Sequence, residues 1–542
     1  MDETRDQSGS VRQETPPMTG SADVDADGDP EPRPGEASET KLSHRIDLPV
    51  AGTSVGILAA FVALALIIPD TMSSWVGTAF TACANIFGMY WQILLLATFL
   101  VALVLIFTPW AKARLGNQAR PDFKRFSWVA MIMMTLLAAG GVFWAAAEPM
   151  YHYATTPPYF TDDGGSAVDA VAAALATSFI DWGFLAWAIL GSLGAIVMMR
   201  AAEKGMPLRP RSLLYPVLGK RAATGPIAAI VDVVCIISVA AGTIGPVGFL
   251  GMQVSYGLHS LFGIPDVYGV QLVVIAVLTA IAGVSVFSGV SRGIRFLSSA
   301  NVWIALALMA AVLALGSAWF VIKSYFSGFA LYMTDFFSMT LYRGDTEWLS
   351  GWTVFFFGWF LGYAPLMAIF VARISKGRTV RDLLISTTVL PPIATTFWFA
   401  VLGGTGIFLE QKSAGSISGP LSDGGLPAAV MAISDNLPLS LIISIGFLIL
   451  TMTFVATTTD SMSFAMSQSC MTSGEPSPKL RATWALLIGV TAAVLISLGD
   501  GGVDALQSAI VITAVPVGFV MLPSLFAAPV YVRQMAKEQN LV

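Results

Sequence analysis

Of the 29 lysines and arginines in this chain, 26 fall in every second gap between long apolar segments. They occupy the stretch before the first segment (Arg5, Arg12, Arg33, Lys41, Arg45), then Lys112 to Arg125, Arg200 to Arg221, and Arg292 with Arg295. The series continues with Arg373 to Arg381, Lys479 with Arg481, and Arg533 with Lys537. Only Lys323, Arg343 and Lys412 lie in the intervening gaps, which carry Asp162, Asp163, Asp345, Glu347, Asp423 and Asp500 instead. Cationic loops are retained on the cytoplasmic side of a membrane. The pattern therefore predicts a multi-pass membrane protein with an even number of crossings and both termini in the cytoplasm.

Composition points the same way. Over 542 residues, 55% are apolar and only 12% charged, with a mean hydropathy of +0.73; soluble domains carry about a quarter charged residues. The first 47 residues hold twelve acids against five bases among Ser, Gly and Pro, too little apolar surface to fold. They are expected to form a disordered acidic cytoplasmic tail, without the apolar core of a signal peptide. Residues 48–534 form the expected membrane domain and 535–542 a short cytoplasmic end. Cys83, Cys235 and Cys470 show no paired spacing, so neither a disulfide framework nor a metal knot is indicated.

About 20 apolar residues span the hydrocarbon as a helix. Twelve segments qualify: near 49–69, 88–109, 127–147, 171–199, 226–250, 268–289, 300–321, 351–372, 383–409, 438–460, 481–499 and 507–531. The aromatic-rich stretch 323–350 reads as a helix in the outer interface, with Val290 to Leu297 a shorter counterpart on the cytoplasmic side. Small or hydroxylated residues interrupt three spans: Ala138-Ala139-Gly140-Gly141, Gly242-Thr243-Ile244-Gly245-Pro246 and Thr457-Thr458-Thr459-Asp460-Ser461. They are expected to break helices three, five and ten, as around the midplane site of a secondary transporter. The competing explanation is close helix packing through small residues.

Trp352, Phe356, Trp359 and Tyr363 recur at helical spacing and form one aromatic stripe in span eight, while span four carries Trp182 and Trp187, with Leu190 beyond. Facing tryptophan helices could build a cage for an onium headgroup, or simply fill the core. Asp181 is a carboxylate inside a span and so a functional candidate, able to sense a cation, bind an ammonium or take a proton, unless it is a hydrogen-bonded group near the outer mouth. A channel would show a filter motif, and none is visible. An enzyme would need a nucleophile or metal centre, yet His44, His152 and His259 are dispersed, with His152 and His259 reading as interfacial. No nucleic-acid partner is expected.

Five blocks carry a specific resemblance: Trp144 with Glu148-Pro149 and His152-Tyr153; Asp181-Trp182-Gly183 with Trp187; Gly242-Thr243 with Gln253; the span-eight string ending in Ala372-Arg373-Ile374-Ser375-Lys376-Gly377-Arg378-Thr379; and Phe454 to Ser461. Over residues 45–535 the chain resembles the betaine/choline/carnitine transporter family, as a divergent member. The resemblance implies an all-α membrane protein of twelve transmembrane helices with two inverted five-helix repeats, spans 3–7 and 8–12, of the sodium-coupled amino-acid transporter type. It further implies a homotrimer in a bacterial inner membrane that moves trimethylammonium zwitterions, with sodium as the coupling ion and no other cofactor.

Carried over position by position, Trp182 and Trp187 match cage rings, Phe360 and Tyr363 stand beside Trp359 where the family usually has tryptophan, and Leu190 replaces a common tyrosine. The family's glycine-rich stretch is here Leu136-Leu137-Ala138-Ala139-Gly140-Gly141, so the larger Leu136 and Ala138 narrow the substrate approach, with Ala138 and Gly140 still candidate substrate contacts, and Asp181 stands where histidine is frequent. Thr457 and Thr458, beside Phe454, match the hydroxyls of the main sodium site, with carbonyls near Met134 and Leu137 opposite; Thr243 is the remnant of a second. Alternatively the two threonines bond back to their own helix. The expected function is sodium-coupled uptake of a betaine-like, choline- or carnitine-like or dimethylsulfonium-like solute. Proton coupling, or a solute such as a sulfonate, is the alternative.

Overall fold

A computed structural model describes residues 45–137, 140–161, 168–288, 293–498 and 503–542. The expectations for residues 1–44 of the acidic tail, for Ala138 and Ala139, for Asp162, Asp163 and Asp500, and for Val290 to Arg292 lie outside the described residues, as do the side chains of Leu136 and Leu137, whereas residues 45–47, expected in the disordered tail, form a strand and a helix cap.

Backbone amides in hydrocarbon have no water to bond, so the chain satisfies them within helices. The first part contains α1 (Leu48–Ile67), α2 (Pro69–Phe107), α3 (Arg125–Leu137), α4 (Gly141–Ala154), α5 (Ala170–Trp182), α6 (Phe184–Gly191), α7 (Leu193–Glu203) and α8 (Tyr215–Leu218). Next come α9 (Pro226–Phe262), α10 (Tyr268–Ser288), α11 (Gly293–Leu315), α12 (Ala318–Thr334), α13 (Phe336–Thr340) and α14 (Thr346–Gly351). The remainder is α15 (Thr353–Ile374), α16 (Val380–Thr388), α17 (Leu390–Lys412), α18 (Ser418–Gly424), α19 (Ala429–Asp435), α20 (Ser440–Ser469), α21 (Pro478–Leu495), α22 (Val503–Met521) and α23 (Pro523–Glu538). Pro69, Pro226, Pro478 and Pro523 each open a helix, where a missing amide hydrogen costs nothing.

Eleven helical stretches among the described residues are long and apolar enough to cross a membrane. The stretch holding α15 is buried along its whole apolar length, whereas α1 and α10 bury about a quarter of theirs, so α15 is the axis and the other two lie at the rim. Around α15 pack α2, α6, α7, α9 and α22. The aromatic stretch 323–350 is divided among α12, α13 and α14, and α12 lies against α5 and α17.

The breaks differ from expectation. The third expected span is divided, with α3 ending at Leu137 and α4 starting at Gly141. The fifth and tenth are not: α9 and α20 run unbroken for 37 and 30 residues. In α9 the carbonyl of Gly242 has no intrahelical donor, because Pro246 stands four residues on. The Trp359 indole Nε1 donates to that carbonyl at 3.1 Å and restores the missing bond. In α20 the polar run turns its side chains to neighbouring helices: Asp460 accepts from Ser285 of α10 at 2.8 Å and pairs with Arg481 of α21. The unanticipated break is in span four, at Gly183, with a second at Ser192.

The cation-rich gaps converge on one end of the helix array. Arg200 pairs with Glu203 and Glu538, Arg114 donates to the Gly377 carbonyl at 2.8 Å, and Arg373 pairs with Glu475. At the same end β1 (Arg45–Ile46) pairs antiparallel with β2 (Met471–Ser473). Asp47 caps α1 there and binds Arg209 at 2.9 Å; Arg209 and Arg211 also hold Asp232 of α9, at 2.7 and 2.6 Å. Burial alone would raise the Asp47 carboxyl, but the hydrogen bond and charge of Arg209 hold it below the usual carboxylate range.

The Arg481 and Asp460 side chains are almost wholly buried, so removing one partner strands a charge in low dielectric. Arg481→Met is expected to cost about 3–5 kcal/mol, read as a lower melting temperature in detergent. Asp460→Asn added to it should restore most of that loss, and equal melting of the single variant and the parent would count against a structural role for the pair.

Candidate functional site around Trp182

The break in span four puts an indole at the centre of the array. A Cβ at Gly183 would collide with the Phe179 carbonyl oxygen, and the Tyr332 hydroxyl would lie 2.7 Å away, so no larger residue fits. The Phe184 amide donates to that hydroxyl at 3.2 Å, satisfying one donor freed by the break. Trp182 is thereby the last residue of α5. Its ring centroid lies 5.2 Å from Phe356, 5.9 Å from Trp359, 5.2 Å from Phe360 and 5.1 Å from Phe399, with Trp359 and Phe360 close to perpendicular to it. Edge-to-face contacts at these distances are the favoured geometry of aromatic quadrupoles.

The break in span three faces the same cluster. A Cβ on Gly140 would stand 2.9 Å from the Trp359 ring and 3.0 Å from that of Trp144, so only glycine allows this approach. Trp398 of α17 donates its indole N–H to the Gly141 carbonyl at 2.8 Å. Below Trp359, the Tyr363 hydroxyl donates to Thr243 at 3.2 Å, and Thr243 donates to the Val239 carbonyl at 2.7 Å. Glycine at 242 is required here too, since a Cβ would meet the Tyr363 ring at 2.7 Å.

Of the expected substrate residues, Trp182, Trp359, Phe360 and Gly140 share this cluster. Trp187 and Leu190 do not. They sit on α6 and line a gap too narrow for water with Ile132, Met367, Val371 and Thr387, and the Trp187 indole nitrogen is buried without a partner. The expected single cage of Trp182, Trp187, Phe360 and Tyr363 is therefore two separate places along α15, because Gly183 divides the helix between the two tryptophans and Tyr363 is tied to α9. Phe399 and Trp398 were not anticipated; their signal was the run Phe397-Trp398-Phe399 in span nine.

The expected ion residues are also split by their bonding. Thr457 donates to the Thr453 carbonyl at 2.8 Å and accepts from the Asn301 amide at 2.8 Å. Thr458, one residue on, is buried with its hydroxyl oxygen unpartnered. Phe454 is fully buried on the same helix, α20 packs on α3, and α3 carries the buried Met134 and ends at Leu137. Thr243 is occupied by Tyr363. Asn301, an amide within an apolar span, is the residue that sequence reasoning missed.

Asp181 is fully buried at the back of Trp182, and Glu148 accepts the Trp182 indole N–H at 2.8 Å. His152, expected at the interface, is instead buried beside Glu148, because α4 continues past the hydrophobic run to Ala154 and its last turns are covered by Trp348 and Trp352. Among the described residues no lysine or arginine forms an ion pair with Glu148 or Asp181. Ring faces and carboxyl groups both attract positive charge, so the cluster favours a cationic headgroup and opposes an anionic one.

Residues 49–537 match the profile described as BCCT, betaine/carnitine/choline family transporter. "Glycine betaine transporter 2" of Vibrio parahaemolyticus is 48% identical over 504 residues, covering 92% of this chain and 93% of that protein. "Glycine betaine transporter OpuD" of Bacillus subtilis is 32% identical over 493 residues, covering 90% and 94%. Among solved structures, a Na+-coupled sialic acid symporter is similar with a TM-score of 0.42 at 13% identity, covering 82% of this chain and 87% of that one. With nearly the whole membrane domain matched, the chain belongs to the betaine/carnitine/choline transporter family.

Proposed function

We propose that this protein is a sodium-coupled symporter that takes up a small onium zwitterion or cation, with glycine betaine as the first solute to test. The observation that carries this reading is the wedge of rings around Trp182, backed by two buried carboxyl groups that no lysine or arginine pairs with among the described residues. The names of the relatives, glycine betaine transporters, support the solute class. A sulfonate is disfavoured, since its anionic head would meet ring faces and carboxyl groups together.

In this reading α3 and α4 form one broken span. Counted with the eleven long stretches it gives twelve crossings, arranged as two inverted five-helix repeats, with both termini and the cation-rich end in the cytoplasm of a bacterial inner membrane. The homotrimer implied by the resemblance belongs to the same proposal. The solute opens the ring cluster between Trp182 and Phe360 and then passes along α15 to Trp187, two turns nearer the cation-rich end. Sodium, a hard cation that takes oxygen ligands, binds the Thr458 hydroxyl and the carbonyls at the end of α3 near Met134 and Leu137. It ties α20 to the broken span and so organises the Gly140 approach to Trp359. Helix groups then rock to expose the solute to each side in turn.

Radiolabelled uptake into proteoliposomes, with sodium and proton gradients imposed separately, tests the assignment; uptake that ignores a sodium gradient removes the coupling. Trp182→Leu should raise the half-saturating betaine concentration tenfold or more, roughly 1–2 kcal/mol of cation–ring attraction, while Trp187→Leu should raise it less. Equal affinity of the Trp182 variant and the parent would make the rings packing alone. Thr458→Val should raise the half-saturating sodium concentration at least tenfold, roughly 1.4 kcal/mol. Thr457→Val, whose hydroxyl is already engaged, should shift it less, and unchanged sodium dependence in both variants rejects the site.

A further inference from the structure

Glu148 and His152 stand one helical turn apart on the same face of α4, with Glu148 Oε1 3.7 Å from His152 Nε2. Asp181 comes to them from α5. One donor atom from each of the three lies within 4.8 Å of the others, and all three side chains are buried. Both ring nitrogens of His152 are buried without a hydrogen-bond partner, and Asp181 faces Glu148 and the Thr353 hydroxyl. The other Glu148 oxygen is held by the Trp182 indole at 2.8 Å, which leaves Oε1 turned to the histidine. The His152 ring is braced by Trp352 and Trp348, at centroid distances of 4.5 and 5.5 Å.

Two buried carboxylates that no lysine or arginine pairs with among the described residues are costly in a low-dielectric interior. A divalent cation cancels both charges at once and leaves the imidazole neutral, its ligand form. One nitrogen and two carboxylate oxygens suit zinc(II), which binds such donors at about 2.0–2.2 Å and so spaces tetrahedral ligands by about 3.4 Å. The 3.7 Å between Glu148 and His152 is close to that value, and an Asp181 oxygen lies within 4.8 Å of both. The indole bond to Glu148 acts as an outer-shell support that fixes the ligating oxygen.

We propose that Glu148, His152 and Asp181 form a binding site for a divalent transition-metal ion of the zinc(II) class, joining α4 to α5 behind Trp182. The site does not depend on the transported solute. Because Glu148 also holds Trp182, an ion bound here fixes one wall of the ring cluster and slows its opening.

The test is titration of the chelator-treated, detergent-purified full chain with cobalt(II) alone, followed by visible absorption, then displacement with zinc(II). The expected result is a saturable cobalt spectrum at one ion per chain that zinc removes. His152→Gln and Asp181→Asn should each weaken binding at least tenfold, and His259→Gln should leave it intact. Glu148→Gln, isosteric with the parent, serves if either variant is not monodisperse on size exclusion. No saturable spectrum in the parent, or the same titration in every variant, overturns the proposal. So does an infrared band of a protonated carboxylic acid, present in the parent and lost in Asp181→Asn, without cobalt binding, for that would assign the carboxyl pair to a proton. No uptake is measured, so failure here is separate from failure of the symport reading.

Discussion

Hydrocarbon cannot hydrogen-bond, and the irregular points around Trp182 are arranged around that refusal. Continuous helices answer it for most of the chain. At three places where the chain departs from a helix or a proline removes an amide hydrogen, a side chain from another helix supplies the partner: Trp398 for Gly141, Trp359 for Gly242 and Tyr332 for Phe184. Each partner is aromatic with one polar atom, so it fills space with its ring while its tip completes the backbone. The departures also occur where protein, not lipid, surrounds the chain.

The same economy explains why the central cluster is built as it is. Trp359 packs its ring against Trp182 and Gly140 while its nitrogen repairs α9, so one residue serves both the cluster and the helix beside it. Phe360 and Phe399 have no polar tip and present only faces and edges. Carboxyl groups stand behind Trp182, where their field reaches the cluster without exposing a charge to it. In the proposed reading, a positive headgroup meets ring faces without the desolvation of a paired ion.

Much of the fold was legible because its signals are long-range averages. Span positions follow from runs of some 20 apolar residues, and the sorting of Arg114, Arg200 and Arg373 into alternate gaps is realised as their convergence on one end. What failed was local. Pro246 reads as a helix breaker, and nothing near it reveals that an indole more than a hundred residues away replaces the lost donor. Asp460 resembles an interruption until Arg481 is seen against it. The site was half legible for the same reason. Trp182 and Phe360 were found by spacing and resemblance, but whether Trp187 joins them depends on a single glycine that the Phe179 carbonyl and the Tyr332 hydroxyl leave no room to replace, and whether Thr457 is free depends on Asn301. Pairings between distant helices carry no periodicity.

The indole that mends α9 has a mechanical corollary. Sliding α15 along α9 would pull the donor at position 359 from its carbonyl, forfeiting about 0.5–1.5 kcal/mol before any new contact forms. Smooth gliding is thus replaced by a click between discrete seats, like a spring-loaded detent on a shaft. Such a catch favours the seat seen here over neighbouring ones, with the proline near the middle of α9 setting where the shaft comes to rest.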